Sequence, residues 1–491
     1  MPITFFIIPI ICLIAFMSGL QPLYLPGVYL GVKTLFLFSD SLLLESWLGV
    51  TSSRLFLIVF AAGMGFYLFR NRTLFSTAKI KDGWWYLLTY FIFLLLIPSL
   101  HHLAFYDTLP LAHLKFYTLS SWGIFVALLT VKLDRLDRLW NGFVISFFVI
   151  FLFLLYPTLK FFGSYGYLTG ISLHRLDPFV DLFRFFKADV SDYFYVIESG
   201  QSGIRSLFLW LNTEISYYYT LLLAVVFTLL IIKLFDRELS FKKRVMAYVT
   251  SMLLLIFSLL FNYLALSLMF FVTVGLFLLV RFFRKGGERR QWGLTGLLVG
   301  SLLFFFSLNE VFLTKTSSGI TLLERLIAPY VDNYWIDKNN KFTLHYRSEL
   351  ERRNASGNMT RLMMVRIGLT NTWLNYPVSG IGYLDKQKLR NMDPSKPMYV
   401  SWNSFLLDKL SIWGFFTGFL IWLPFLFPFM LLVKYRLVRR MPFAELILFL
   451  NFFTASFWAA GAGSFGYITG AIGIQNFMII IFLRRVRSYY S

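Results

Sequence analysis

The sequence is poor in the residues from which soluble enzymes build their sites. Only 14% of its 491 residues are charged, and Cys12 is its single cysteine. An average soluble protein carries about 25% charged residues. One cysteine excludes an internal disulfide bond and any metal site that needs two thiolates. The sequence also has no Walker phosphate loop, no HExxH, no GxSxG and no glycine-rich dinucleotide turn, which argues against common nucleotide-binding and hydrolase classes.

Apolar residues dominate instead, at 58% of the chain. Runs long enough to cross a bilayer recur from end to end, which predicts an all-α polytopic membrane protein with a single integral membrane domain over residues 1–491. The first run lacks a basic leader and a small-residue cleavage site, so we expect a retained span and not a signal peptide. The predicted spans number twelve, at about 3–20, 54–70, 84–100, 117–131, 139–158, 215–235, 246–262, 264–281, 292–309, 411–433, 443–460 and 465–483.

The net charge of +21 is concentrated in six basic clusters that fall in alternate connections between these spans. The positive-inside rule therefore predicts that all six clusters and both termini are cytoplasmic. The apolar stretch 24–50 is interrupted by Lys33, Asp40 and Glu45, and a thirteenth span would break the alternation, so this stretch is predicted to be interfacial and outside. The clusters are Arg70-Arg72-Lys79-Lys81, Lys132-Arg135-Arg138, Arg237-Lys242-Lys243-Arg244, Arg281-Arg284-Lys285-Arg289-Arg290, Lys434-Arg436-Arg439-Arg440 and Arg484-Arg485-Arg487.

Two long connections remain outside, residues 159–206 and residues 310–410, and the second is predicted to be a large, partly helical loop between spans 9 and 10. It holds thirteen Lys and Arg residues between Lys315 and Lys396, against eight acids when Glu310 is counted. Long loops escape the positive-inside rule, so this excess does not conflict with the predicted topology. It indicates either an anionic partner outside the membrane or a solvated basic face.

Three stretches place arginine or asparagine beside apolar and aromatic residues at a predicted membrane entry. The first has Arg205 with Asn212 and Glu214, the second runs from Thr360 to Tyr383, and the third begins near Asn403. Arginine offers a planar fork of donors that suits phosphate and keeps its charge. The alternative for each arginine is that it extends to the lipid headgroups. Two arginines of the second stretch, five residues apart, are roughly 500° apart on a helix and do not share one face.

The order and position of these stretches resemble the bacterial O-antigen ligase and polymerase superfamily, membrane glycosyltransferases of the C-type fold group. The family pattern has an Arg before an Asn-rich span mouth, an Arg leading a helix that ends in Pro-x-x-Gly-x-Gly, and a His-Asn pair before a span with a Gly about eleven residues on. Trp402 stands where the His is expected, and the resemblance covers residues 200–420. The matching residues are Arg205, Asn212, Arg361, Pro377, Gly380, Gly382, Asn403 and Gly414.

This resemblance implies metal-independent transfer from an undecaprenyl-diphosphate-linked oligosaccharide on the periplasmic side of the bacterial inner membrane. It implies no cofactor and no nucleic acid, membrane lipids as surroundings, and a chain-length regulator or a flippase as protein partners. The product would be the O-antigen of lipopolysaccharide or another surface polysaccharide. The missing His is the proposed base on the acceptor hydroxyl in ligases, so the polymerase branch is favoured.

The resemblance assigns Arg205 and Arg361 to the diphosphate, followed by Arg366. His345, Glu214 and Asp408 remain alternative bases for the acceptor hydroxyl. No His/Asp/Glu cluster at ligand spacing suggests a metal site. Further candidates for substrate contacts are Arg347, Arg352, Arg353, Asn212, Asn403, Trp373 and Tyr383.

Two other functions remain as alternatives. One is a ligase that transfers lipid-linked glycan to lipid A core or to protein. The other is a flippase for lipid-linked oligosaccharides, which should have basic residues along a cavity within the spans. Here the predicted spans hold almost no ionisable group apart from Lys233, and the basic residues concentrate in outer loops, which favours the enzyme.

Overall fold

The structure is a computed structural model that describes residues 4–38, 52–72, 77–130, 135–165, 213–236, 238–260, 264–284, 293, 295–304, 376–380, 382, 405–462 and 469–489. Every regular element in these ranges is helical. Residues 295–304 are helical, Pro22–Tyr24 form a 3-10 turn, and Phe91–Leu96 form a π-helix. The α-helices are α1 (Thr4–Leu20), α2 (Leu25–Phe38), α3 (Ser52–Arg70), α4 (Thr77–Tyr90), α5 (Ile97–Tyr106), α6 (Leu111–Ser120), α7 (Trp122–Leu129), α8 (Asp137–Tyr165), α9 (Thr213–Phe235), α10 (Phe241–Leu260), α11 (Leu264–Phe283), α12 (Phe405–Leu420), α13 (Leu423–Lys434), α14 (Leu437–Arg440), α15 (Phe443–Ala462) and α16 (Thr469–Arg487).

Three helical runs in the described part of the chain are long and apolar enough to cross a membrane. They are Gly83–Tyr106, Tyr218–Phe235 and Lys409–Lys434, and several shorter apolar helices accompany them. A run of about 20 apolar residues matches the hydrocarbon core of a bilayer. The described part of the chain is thus all-helical with membrane-spanning character, whereas the count of twelve spans and the large outer loop remain predictions.

Basic residues from separate predicted clusters meet at one end of the helix bundle, here called the cationic end. Arg138 donates to the Gln21 side chain at 2.5 Å, and these two residues line a cavity with Arg70 and Thr130. Arg484 donates to the carbonyl oxygens of Ala127 and Thr130, and its neighbour Arg485 pairs with Glu445 at 2.7 Å. This convergence agrees with the predicted alternation of the clusters. Their placement in the cytoplasm remains a prediction.

Helix α2 corrects the first part of the prediction that residues 24–50 form an outer interfacial segment, whereas residues 39–50 lie outside the described ranges. Gly27 lies against Gly142 and Phe143, and Gly31 lies against Ser146, so α2 and α8 run in the same direction. Both helices begin at the cationic end, since Gln21 contacts Arg138. Leu25, Val28, Leu30 and Val32 are buried between helices. A helix whose residues are buried between other helices does not lie on a membrane surface. The presence of Lys33 was therefore a poor indicator of an interfacial segment.

Helix α1 also runs toward the cationic end, parallel to α3. Met17 and Leu20 near the end of α1 line the same cavity as Tyr67 and Arg70 at the end of α3, and Gly19 lies against Gly63 and Met64. The chain therefore begins α1 at the opposite end of the bundle, whereas α16 finishes at the cationic end. This geometry favours opposite sides of the membrane for Thr4 and Ser488, as an alternative to the cytoplasmic placement of both termini, which remains a prediction.

We expect cysteines at the two ends of the chain to react from opposite sides of the membrane. In a Cys12→Ser background, Thr4→Cys should react with an impermeant maleimide in intact cells, because the positive-inside rule places the cationic end in the cytoplasm. Ser488→Cys, which is exposed next to Arg487, should react only after permeabilisation. Labelling of both cysteines under the same condition would contradict the α1 and α2 arrangement.

Buried amides join the helices within the bundle. Asn451 of α15 donates to Ala224 O, Thr228 Oγ1 and Thr273 Oγ1, at 2.9, 2.7 and 2.9 Å. Asn476 of α16 accepts from the Tyr86 hydroxyl at 2.7 Å and donates to Ser120 O at 3.0 Å. Apolar burial drives helix association weakly in lipid, so such bonds and close packing set the arrangement. They hold the helices that carry the site described next.

Candidate functional site

Most of the predicted site residues lie outside the part of the chain that the structure describes. Glu214 is the exception, because it falls in the first turn of α9, although its side chain is not described. Asp408 likewise lies in α12 with an undescribed side chain. The predicted residues outside the described ranges are Arg205, Asn212, His345, Arg347, Arg352, Arg353, Arg361, Arg366, Trp373, Tyr383 and Asn403.

Two of the three sequence patterns nevertheless meet in the described residues. The turn that carries Pro377, Gly380 and Gly382 lies against α12 at Gly414. Gly382 N donates to Ile412 O at 3.0 Å, and Phe415 N donates to Pro377 O at 2.9 Å. We call residues 376–380, 382 and 412–415 the glycine junction. Pro-x-x-Gly-x-Gly and the distant Gly414 are therefore two halves of one structural unit.

Glycine is required at both halves because the two backbones touch. Gly414 has φ 71° and ψ 173°, a conformation that is essentially restricted to glycine. A Cβ atom on Gly414 would lie 2.1 Å from Val378 O, and one on Gly380 would lie 2.3 Å from Ile412 O. Gly380 also has a positive φ of 65°. Any side chain at either position would push the halves apart.

Gly414 also reverses the direction of the chain within α12. A Cβ atom on Gly418 would lie 2.6 Å from Lys409 O and 2.7 Å from Leu410 Cα. In a straight helix these residues would be about 13 Å apart along the axis, at 1.5 Å per residue. Residues 405–413 and 415–420 are thus two short helical arms packed side by side. The run Lys409–Lys434 is one apolar stretch by composition, but only its part after Gly414 continues to the cationic end.

Side chains from α5 hold the glycine junction. The Nε2–H of His101 donates to Ser379 O at 2.9 Å, and the His101 Nδ1 atom accepts from the Thr417 hydroxyl at 2.9 Å. The Tyr106 hydroxyl donates to Gly380 O at 2.6 Å. Because a carbonyl can only accept, these bonds fix His101 as the Nε2–H tautomer. His101 therefore connects three segments that are far apart in the sequence.

A proline explains why a second histidine, His113, binds to a backbone carbonyl nearby. Pro98 lacks a backbone N–H, so it cannot donate to Leu94 O as a helical residue would. The preceding residues Phe91–Leu96 widen into a π-helix, and His113 of α6 donates its Nε2–H to Leu94 O at 2.8 Å. Proline-freed carbonyls in membrane helices are commonly satisfied by neighbouring helices. The proline thus creates the binding position of His113.

Trp413 and Lys409 occupy the space between these elements. The buried Trp413 ring lies 5.8, 5.8 and 4.9 Å from the rings of His101, His102 and His113. The Lys409 Nζ atom lies 5.6 Å from the centre of the Tyr117 ring, and only 7% of Lys409 is exposed. The sequence interpretation placed Lys409 in the outer loop, whereas the structure buries it among helices. An ionisable group inside a membrane bundle marks a functional position by default.

The arrangement combines a rigid turn with basic side chains at the end of the bundle opposite the cationic end. Gly83 packs on Leu128 and Ile480 toward the cationic end, and Tyr106 closes the same 24-residue run at the other end. His102 donates its Nδ1–H to Thr108 O at 2.7 Å, which leaves Nε2 as its basic nitrogen. Three imidazoles therefore lie around Trp413 of the junction, and the buried Lys409 belongs to the same short helical arm. Among the described residues, no group of three or more His, Cys, Asp or Glu could hold a metal ion.

No known protein family and no curated protein matches this sequence. Sequence patterns alone did not reveal His101, His102, His113, Trp413 or Lys409, because no spacing rule links residues 101–113 to residues 409–417. The available signal was the occurrence of three of the five histidines next to one predicted outer span end.

We expect loss of the His101 bonds to loosen the junction measurably. His101→Ala removes two hydrogen bonds, worth about 1–3 kcal/mol together, and should lower the unfolding temperature of the purified protein in detergent. His101→Gln keeps a donor for Ser379 O and should recover part of the loss. Thr89→Ala is the control, because the Thr89 hydroxyl donates within its own helix, to Trp85 O at 2.8 Å, in an exposed bond. An unfolding temperature equal for His101→Ala and wild type would contradict this role.

Proposed function

We propose that this chain is a membrane glycosyltransferase that polymerises undecaprenyl-diphosphate-linked oligosaccharide repeat units into O-antigen or another surface polysaccharide. One observation carries the proposal: Pro377, Gly380 and Gly382 pack against Gly414, so residues of two separate family-like patterns form one unit. Two unrelated loops would not be expected to form a backbone contact that only glycine permits. The proposed site lies on the periplasmic side of a bacterial inner membrane.

The glycine junction is the rigid part of the proposed site. Arg361 and Arg366 precede Pro377 in the chain, and Asn403 lies between Gly382 and α12. Both of these segments are continuous in the chain with residues of the junction. A preorganised site stabilises developing charge without having to reorganise during the reaction. We therefore assign the junction to positioning and the arginines to the diphosphate.

The proposed reaction is a displacement at an anomeric carbon. A hydroxyl of the acceptor repeat unit attacks this carbon, and a new glycosidic C–O bond forms while the bond to the diphosphate oxygen breaks. The electron pair leaves with undecaprenyl diphosphate, and the hydroxyl proton passes to a base. Arg205 and Arg361 would neutralise the charge that grows on the leaving group. The guanidinium fork supplies this charge in place of a divalent cation.

The test is an assay with purified full-length protein and a lipid-linked repeat unit as both donor and acceptor. We expect a ladder of longer glycans, equal release of undecaprenyl diphosphate, and no loss of activity in excess EDTA. Transfer only to lipid A core or protein would assign the chain to the ligases. Movement of the lipid-linked unit across a vesicle membrane without a new glycosidic bond would assign it to the flippases.

A further inference from the structure

A cavity of about 450 Å³ opens at the cationic end, where α1 meets the turn into α2. We call it the corner cavity. Its polar lining includes Gln21, Arg70, Asn71 and Arg138, and its apolar lining includes Met17, Leu20 and Leu23. It lies far from the glycine junction, at the other end of the bundle. Nothing in the proposed glycosyl transfer uses it.

The charges of the corner cavity differ from those of a second cavity at the same end. The second cavity, of about 400 Å³, is lined by Arg281 and Arg284 together with the carboxylate of Asp236. The described residues that line the corner cavity include two arginines and no acidic residue. The corner cavity therefore has a local charge of about +2, which favours an anion.

The polar groups of the corner cavity are held in place by their neighbours. Arg138 Nη1 donates to Gln21 Oε1 at 2.5 Å, and Gln21 N donates to Met17 O at 3.0 Å. Asn71 Nδ2 donates to Tyr67 O at 2.7 Å. Arginine has five N–H donors, and the bond to Gln21 uses one of them. An oriented guanidinium beside a second arginine is the arrangement that binds phosphate oxygens in pairs.

We propose that the corner cavity binds the phosphate of an anionic phospholipid headgroup. Free phosphate needs only the donors, whereas a lipid also needs an apolar surface for its glycerol and upper acyl chains. Met17, Leu20 and Leu23 supply this surface directly beside the arginines. Basic pockets between membrane helices on the cytoplasmic side are known to bind lipid headgroups. This inference is independent of the proposed sugar transfer.

Bound lipid would bridge two helices of the bundle, α3 and α8. The arginines come from different helices, Arg70 from α3 and Arg138 from α8, and Gln21 lies between α1 and α2. A phosphate that accepts from both arginines connects these helices at the end of the bundle. We therefore expect anionic lipid to raise the unfolding temperature of the protein as well as to bind it.

The experiment measures lipid binding to purified, delipidated full-length protein by native mass spectrometry. Phosphatidylglycerol should bind about tenfold more tightly than phosphatidylcholine, because phosphatidylcholine carries beside the same phosphate a quaternary ammonium group that the two arginines repel. Arg70→Gln and Arg138→Gln should each remove about that factor, and Arg138→Lys should recover part of it. The matched control is Arg439→Gln, which removes the same charge from an exposed residue at the cationic end outside both cavities.

The outcomes separate the possible sources of the phosphate. If inorganic phosphate binds to lipid-free protein as tightly as phosphatidylglycerol does, the cavity is a free-phosphate site and the lipid proposal is wrong. If Arg439→Gln weakens phosphatidylglycerol as much as Arg70→Gln does, the binding is unspecific attraction to the whole cationic end. Because Arg138 also supports the turn at Gln21, Arg70→Gln with an unchanged unfolding temperature in lipid-free detergent is the decisive variant.

Discussion

Replacing Gly414 by alanine should abolish polymer formation while leaving a membrane-inserted protein. A residue with a Cβ in this conformation costs of order 1–3 kcal/mol from backbone strain alone. The added atom would also lie 2.1 Å from Val378 O, which is well inside van der Waals contact. The two halves of the junction must then separate, and the bond from Phe415 N to Pro377 O is lost. We expect at least a hundredfold loss of transfer rate, because a site displaced by about 1 Å loses that much.

The control for this variant is Gly275→Ala in α11. A Cβ atom on Gly275 would meet no heavy atom within 4 Å. Alanine is favoured over glycine inside a helix by about 1 kcal/mol, so this variant should be neutral or slightly stabilised. The measurements are glycan chain length per amount of membrane protein, and elution of the purified protein as a single species. Wild-type chain length from Gly414→Ala would show that the junction does not position the site.

Gly380→Ala should resemble Gly414→Ala, because the two residues face the same contact. Its Cβ atom would lie 2.3 Å from Ile412 O and 2.4 Å from Gly414 N. The double variant should then cost little more than either single variant, since the first already opens the junction. Such non-additivity is expected for residues that act as one unit. Simple addition of the two losses would indicate that each glycine acts alone.

Much of the helical layout follows from the composition of the sequence. The apolar run that begins near residue 84 was predicted as a span, and the structure has a helical run over Gly83–Tyr106. The basic clusters were predicted to share one side, and residues from several of them meet at the cationic end. Both features depend on local chemistry, namely runs of apolar residues and groups of like charge. Such features can be read without knowing which helices are neighbours.

The errors concern features that depend on neighbouring helices. Lys33 makes the stretch after residue 24 look interfacial, yet Gly27 and Gly31 allow α2 to pack closely along α8 inside the bundle. Lys409 resembles a loop residue in the sequence, but the reversal at Gly414 places it in a short buried arm beside Tyr117. A hydropathy pattern does not reveal such a reversal. The reversal requires a glycine, Gly414, at the point where the two backbones touch.

The candidate site likewise has features that the sequence revealed and features that depend on contacts between distant residues. Pro377, Gly380, Gly382 and Gly414 were recognised as parts of a pattern, but their contact with one another was not predicted. His101 was not recognised at all, because its partners Ser379 and Thr417 lie about 280 and 320 residues away in the sequence. The missing histidine at Trp402 was interpreted as favouring the polymerase branch, which remains a prediction. The structure brings imidazoles of other helices, α5 and α6, to the junction.

Lysine should fail to replace arginine at positions 205 and 361 if these residues bind the diphosphate. Lysine keeps the positive charge but cannot form the paired hydrogen bonds of the planar guanidinium. Arg205→Lys and Arg361→Lys should therefore cut polymer formation severely, and the alanine variants should nearly abolish it. A lost charge-assisted contact to a developing anion, worth roughly 2–4 kcal/mol, corresponds to about 30- to 1000-fold in rate.

The matched control is Arg390→Ala, which removes an arginine from the same predicted outer loop as Arg361 but outside the family-like pattern. It should leave chain length within about twofold of wild type, because substitutions away from a site usually change little and no pattern assigns Arg390 to the substrate. The assay measures glycan length in cells that lack the native copy, normalised to the protein in the membrane. If 205 and 361 only extend to lipid headgroups, lysine should replace them freely. Glycans of wild-type length from both lysine variants would therefore remove the diphosphate contact from the proposed mechanism. The positioning role of the glycine junction would then depend on the Gly414→Ala result alone.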